Sequence, residues 1–130
     1  MNEENKKRNS KNTFELEGNV ANIYDIYTSK TGKKSLRFDL GQNNNDNSQF
    51  VPIIIKGNLV NTYGQDIKKG QWITIKGRID TYTKEVERNE KTYNEKAIEI
   101  LGFEITDRTN NKIYSSNGDI KSNSKNERGK

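Results

Sequence analysis

Between Thr13 and Thr106, apolar and polar residues alternate with period two along most of the chain, which predicts strands with one buried and one wet face. In FELEGNV, Phe14, Leu16, Gly18 and Val20 alternate with Glu15, Glu17 and Asn19, and this first strand runs on through ANIYDIY. SKTGKK, a polar cluster holding a glycine, predicts a turn. SLRFDL predicts a second strand, with Leu36, Phe38 and Leu40 on one face and Ser35, Arg37 and Asp39 on the other. GQNNNDNS contains nothing that could pack and reads as a loop. QFVPIIIKG predicts a third strand, with Val51, Ile53 and Ile55 opposed to Phe50, Pro52, Ile54 and Lys56. Pro52 has no amide hydrogen, so it requires a sheet edge or a bulge. Leu59, Tyr63 and Ile67 recur at helical spacing, which predicts a short helix capped by Asn58 and ended by Lys68, Lys69 and Gly70. KKGQWITIKGRI predicts a fourth strand, YTKEVERNEKTY a charged hairpin loop, and KAIEILGFEI a fifth strand with a bulge near Leu101–Gly102.

Three strands, a short helix and two more strands form the layout of an OB-fold, an all-β, five-stranded Greek-key barrel with its helix between the third and fourth strands. A barrel this small must bend its strands sharply, and glycine is suited to such bends. Gly18 and Gly77 fall on the apolar phase of their strands, where a side chain would not fit. On the opposite phase of the fourth strand stand Trp72, Thr74, Lys76 and Arg78. An indole and two cations on a wet face call for a partner.

Composition narrows the classes. The chain has 130 residues and is 28% hydrophobic, with a mean hydropathy of −1.15, which suits one small core rather than two. Residues 1–12 and 107–130 are polar and read as disordered tails flanking a domain over 13–106. The net charge of +5 resides in those tails, because residues 13–106 carry thirteen cations and thirteen anions. Basic charge alone is therefore a weak pointer to nucleic acid. Cysteine and histidine are both absent, which excludes disulfides, Cys/His zinc sites and histidine-based catalysis. Neither a transmembrane run nor a secretory signal is read, so a cytoplasmic location with no membrane partner is expected. Glu85, Glu87 and Glu90 cluster in the charged hairpin, but a solvated loop is a poor catalytic scaffold. Phosphate-binding glycine loops and nucleophile elbows are missing too. We therefore expect no enzyme, no metal, no cofactor and no small-molecule substrate.

FELEGNV, FVPIIIKGNL, IKKGQWITIKGRI, a long hairpin and TYNEKAIEI together resemble the bacterial single-stranded DNA-binding proteins of SSB type. Gly18 and Asn19 match that family's first-strand signature, Phe50 to Gly57 its third strand, and Lys69, Gly70, Ile73, Ile75, Gly77 and Ile79 its fourth. The resemblance covers residues 13–106 and implies a non-enzymatic protein that coats single-stranded DNA, often as a homo-oligomer. Departures accompany it. The family's acidic, phenylalanine-containing tip is replaced by SKNERGK, and two of its aromatic positions fall at Lys56 and near Lys84. This points to a divergent member, by analogy one carried by a plasmid, phage or other mobile element.

General single-strand binding needs rings for bases and cations for phosphates. The candidate interface is Phe50, Lys56, Trp72, Lys76 and Arg78 on the third and fourth strands, Arg37 on the second, and Lys33 and Lys34 in the turn before it. The hairpin adds Tyr82, Lys84, Arg88 and Tyr93. Phe50 also matches the family's stacking position. Each residue has an ordinary structural alternative. Trp72 could cover a barrel end or a subunit interface, Tyr82 and Tyr93 could pair across the hairpin, and Lys76 and Arg78 could form a solvated face. Tyr24, Tyr27 and Tyr63 receive no role, whereas Phe14, Leu36, Phe38, Ile73 and Ile75 read as core. The expected activity is sequence-tolerant coating of single strands in replication, recombination or DNA transfer. The rival readings are RNA binding through the same face and a protein-interaction adaptor built on the same fold.

Overall fold

A computed structural model describes residues 10–122. Its strands are β1 (Phe14–Ile23), β2 (Tyr27–Thr28), β3 (Lys34–Asn44), β4 (Asn47–Lys56), β5 (Trp72–Arg88), β6 (Lys91–Asp107), β7 (Lys112–Ser115) and β8 (Ile120–Ser122), and helix α1 (Asn58–Asp66) lies between β4 and β5. The five long strands close a barrel, as the alternation predicts. β1 pairs antiparallel with β3 and β5, β3 with β4, and β5 with β6. Closure comes from a short parallel contact between β4 and β6 at Ile54 and Leu101. The β3–β4 ladder runs without a shift through Pro52, which therefore sits at an edge of β4 rather than in a bulge. Among the described residues, no helix is long and apolar enough to cross a membrane.

The inward phase of each strand fills the barrel: Val20, Leu36, Phe38, Leu40, Ile53, Ile55, Ile73, Ile75 and Ile105 are all buried. Phe14 is partly buried and packs against this cluster. Both predicted glycine bends are steric necessities. A Cβ at Gly77 would lie 1.9 Å from the Leu101 carbonyl oxygen, and one at Gly18 would lie 2.3 Å from that of Gly41. At Gly77 the β5–β6 register shifts, leaving Phe103 as the extra residue of a bulge, one position past the predicted site. Beyond the seam at Leu101, β5 and β6 continue as a paired two-stranded ribbon. Ile79, on the apolar phase of its strand, is accordingly 43% exposed rather than core.

Helix α1 closes one end of the barrel with Leu59, Val60 and Tyr63. Its N-cap is Gly57, at φ 63°, with no side-chain cap hydrogen bond, so the assignment of Asn58 as cap is corrected. Left-handed φ favours glycine, and that preference outweighs side-chain capping here.

Four further expectations change. The first strand does not run through ANIYDIY: it ends at Ile23, and Tyr27–Thr28 form a short strand against β3. GQNNNDNS is not a loop, because β3 and β4 stay paired out to Asn44 and Asn47 and turn through Asn45 at φ 55°. Backbone pairing needs no apolar side chains, so polar composition misleads at this point. YTKEVERNEKTY is likewise a paired ribbon rather than a loop, turning at Asn89 and Glu90 with φ 53° and 66°. Such a pair of left-handed residues suits a two-residue hairpin turn.

The fourth correction concerns the boundary at Thr106. β6 continues to Asp107, and β7 and β8 extend the sheet beyond it. Tyr114 on β7 is buried, its ring 5.1 Å from that of Tyr63, and its hydroxyl donates to Asp66 Oδ2 at 2.6 Å. Tyr63 donates to Gln71 Oε1, and Gln71 Nε2 donates to the Asp66 carbonyl at 3.0 Å. Buried Asp107 accepts from the amides of Thr109 and Asn110 at 3.0 and 3.2 Å. Burial raises both phenols above the ordinary tyrosine value, and at Tyr114 the Asp66 hydrogen bond adds to it. The segment is held by one apolar anchor inside a polar sequence, which composition alone reads as a tail. The expected disorder of residues 1–9 and 123–130 lies outside the described residues.

Candidate nucleic-acid interface

Residues opposite one another in a ladder lie on the same face, so the register places the outward side chains. One row crosses four strands: Arg37 on β3, Ile54 on β4, Leu101 on β6 and Arg78 on β5. The two-residue period puts Phe50 and Lys56 of β4 on that same outer surface, together with Tyr82, Lys84 and Arg88 of β5. Tyr93, opposite Val86, joins them from β6. Eight of the twelve candidate residues thus form one continuous surface running from the barrel wall onto the ribbon. Phe50 is 62% exposed, and Tyr82 and Tyr93 are each 45% exposed. The tyrosines do not pair with each other, because the residues opposite them are Ala97 and Val86.

Carboxylates hold several of the cations on this surface. Lys56 Nζ lies 3.1 Å from Glu99, Arg78 Nε 2.9 Å from Asp80 and Arg88 Nη2 2.8 Å from Glu95. Exposed ion pairs of this kind contribute only about 0–1 kcal/mol, so a phosphate can displace the carboxylate at little cost.

Arg37 is held more firmly, stacked 4.9 Å above the Tyr24 ring with its guanidinium 3.5 Å from Asp39. Asp39 is buried and also accepts from the Tyr24 hydroxyl at 2.8 Å and from Asn22 Nδ2 at 3.1 Å. Burial pushes the Asp39 carboxyl up, but these two hydrogen bonds and the Arg37 charge outweigh it and hold the group below the usual carboxylate range. The same bond to Asp39 raises Tyr24, with desolvation and the Asp39 charge adding to it.

Lys33, Lys34 and Lys56 meet at a groove of about 770 Å³ between the β1–β3 connection and the start of α1, lined also by Tyr27 and Gly57. Tyr24 and Tyr27, given no role from the sequence, are 45% and 65% exposed and border the candidate surface. No periodicity marks them, because they flank the break between β1 and β2.

The structure separates Trp72 and Lys76 from the rest. Trp72 is 42% exposed, and its indole N–H donates to Glu17 Oε2 at 3.0 Å. A second row joins it to Phe50 through Asn19 on β1 and Gly41 on β3, three strand spacings or about 14 Å in all. Lys76 stands between Glu15 and Glu104, its cross-strand neighbours, on the other side of the bend at Gly77. Lys76 and Arg78 keep the same outward phase of β5, with the register shift of the β5–β6 ladder falling between them.

Comparison with known proteins gives two findings. The sequence model described as the Single-strand binding protein family matches residues 11–101. A solved structure described as the Plasmodium falciparum SSB complex with ssDNA superposes with a TM-score of 0.59 at 21% identity, covering 74% of this chain and 90% of that one. At that identity the likeness concerns the fold. No curated protein gives a significant match.

Proposed function

The chain belongs to the single-strand binding protein family, whose model spans residues 11–101, and from that premise we propose that it binds single-stranded DNA along the outer surface of β3, β4, β6 and β5. The observation that carries this reading is the run of exposed rings and cations on that surface: Phe50, Tyr82 and Tyr93 interleaved with Arg37, Lys56, Arg78 and Lys84. Rings stack on bases of any sequence at about 1–3 kcal/mol per base, and cations displaced from weak ion pairs neutralise phosphates. Lys33 and Lys34, with Lys56, extend the path into the groove beside α1, and Arg88 extends it toward the ribbon tip. Trp72 contacts a strand that turns across β1, and Lys76, set between two carboxylates, contributes little.

The role proposed is a non-catalytic coat on exposed strands during replication, recombination or DNA transfer, in a bacterial cytoplasm and on a mobile element. The superposed structure's single-stranded DNA supports the ligand class, whereas the cellular setting rests on family resemblance. A homo-oligomer is part of the proposal. β5 pairs with β1 from Phe14 onward, but β3 pairs with it only from Asn19 and the Gln42 side chain covers the Glu17 carbonyl, so the opposite edge of Phe14–Leu16 is open to a second copy among the described residues.

Fluorescence anisotropy on labelled oligo-dT, the matching RNA and a duplex, at about 50 and 200 mM salt, tests the function. Preference for the DNA single strand, partly retained at the higher salt, is the expected result. Weak binding to all three that disappears with salt would overturn it and favour a protein-interaction role.

A further inference from the structure

We propose that Asp39 and Tyr24 are positioning residues for strand binding: they hold the Arg37 guanidinium in the outer row it shares with Arg78, ready for a backbone phosphate. The inference rests on the single-strand-binding reading and gives a role to a carboxylate that a phosphate would otherwise be repelled by. Arg37 faces outward on β3, its side chain 50% exposed, in register with Ile54, Leu101 and Arg78. Its partner differs from those of the other cations on this surface. The Asp39 side chain is 9% exposed, against 23% for Glu99 and 35% for both Asp80 and Glu95. Those three carboxylates can swing into water when a phosphate arrives, at the small cost of an exposed ion pair.

Asp39, by contrast, is fixed by its surroundings. It lies opposite Asn22 on β1 and Pro52 on β4. Its Oδ2 accepts from the Tyr24 hydroxyl at 2.8 Å and from Asn22 Nδ2 at 3.1 Å, and its Oδ1 accepts from Arg37 Nη2 at 3.5 Å. Desolvation opposes the charge on Asp39, but the Tyr24 and Asn22 bonds and the Arg37 charge outweigh it, so the carboxyl is ionised at neutral pH. Tyr24 holds Arg37 from a second direction. The guanidinium lies 4.9 Å from the centre of the Tyr24 ring, and the Tyr24 amide donates to the Arg37 carbonyl at 3.0 Å. Asp39 engages one terminal nitrogen of Arg37, and the remaining donors of the fork are left to phosphate oxygens. A loose arginine gives up rotamer freedom to make that contact, whereas one already held gives up less.

Charge and geometry predict opposite signs for Asp39→Asn. Acting only as a nearby negative charge, Asp39 would oppose phosphate, and its removal would tighten binding. Positioning predicts roughly two- to tenfold weaker binding of labelled oligo-dT, because the new side chain offers one acceptor oxygen to three donors and no charge to the guanidinium. Tyr24→Leu, which removes the ring and its hydroxyl but leaves the carboxylate, should weaken binding over the same range. Both losses should vanish in an Arg37→Ala background, a result that neither a general loss of stability nor a direct contact of Tyr24 with the strand would produce. Anisotropy is read with the full chain at neutral pH, well below the melting temperature of each variant. Binding by Asp39→Asn at wild-type affinity or tighter, or a loss that persists without Arg37, overturns this inference alone. If Asp39→Asn does not fold, Tyr24→Leu with and without Arg37 decides on the same criterion. Failure of the wild-type protein to bind oligo-dT overturns the functional reading beneath it.

Discussion

At the scale of single residues, two kinds of outward and inward position carry the fold and the surface. Phe50 lies on the outer phase of a strand whose inner phase, Ile53 and Ile55, is fully buried, so its ring is left to solvent or ligand. Phe50→Ala should weaken single-strand binding by about 1–3 kcal/mol, at low and high salt alike, with an unchanged melting temperature. Wild-type affinity would remove Phe50 from the interface. Gly77 is the inward counterpart. Gly77→Ala forces a methyl group into the Leu101 carbonyl and the Phe14 ring and should cost about 3 kcal/mol or more. Gly64, inside α1, has its nearest neighbour at an ordinary 3.4 Å, so Gly64→Ala should stabilise by up to about 1 kcal/mol through helix propensity. Urea unfolding of the two variants reads both signs. The sequence placed Gly77 on the apolar phase, which made its role legible. Its contact partner, twenty-four residues away, was not.

At the scale of elements, two local assemblies hold the pieces that carry the surface. The first joins β1 to β3 through Asn22, Tyr24, Arg37 and Asp39. Because Asp39 has its folded pKa below its unfolded one, its ionised form stabilises the protein above the ordinary carboxylate range. That contribution is lost as pH falls through the folded value. Melting temperature should therefore drop between about pH 5 and pH 2, and Asp39→Asn, less stable at neutral pH, should show a smaller drop. An identical pH profile in the variant would mean that the carboxylate is not engaged. The second assembly docks β7 onto α1 through Tyr114, Tyr63 and Asp66. Tyr114→Ala should cost about 3–5 kcal/mol by chemical denaturation. Little change would restore the reading of this segment as a tail. Neither assembly could be read from the chain, since each depends on side chains that meet only after the strands have paired.

At the scale of the whole molecule, electrostatics is decided by placement rather than by total charge. The net charge is +5, but what matters for phosphate is which cations share a surface. Arg78→Ala and Lys84→Ala should each reduce the slope of log affinity against log salt by up to about 0.7, whereas Lys76→Ala, between Glu15 and Glu104, should leave it alone. A salt titration of the three variants checks this, and equal slopes in all three would dissolve the distinction. The sequence by itself determined the strand phases, the helix between the third and fourth long strands, the glycine bends and the list of exposed rings and cations. These are local properties, carried by period-two and helical spacing and by the size of single side chains. Only the tertiary structure decided that Arg37, Ile54, Leu101 and Arg78 form one row, that Lys76 has Glu15 and Glu104 as its cross-strand neighbours, that Phe50 and Trp72 end a second row, and that Tyr114 belongs to the core. Each of those depends on register, on the parallel seam between β4 and β6 and on the bulge at Phe103, which set residues far apart in sequence side by side and leave no periodic trace in the chain.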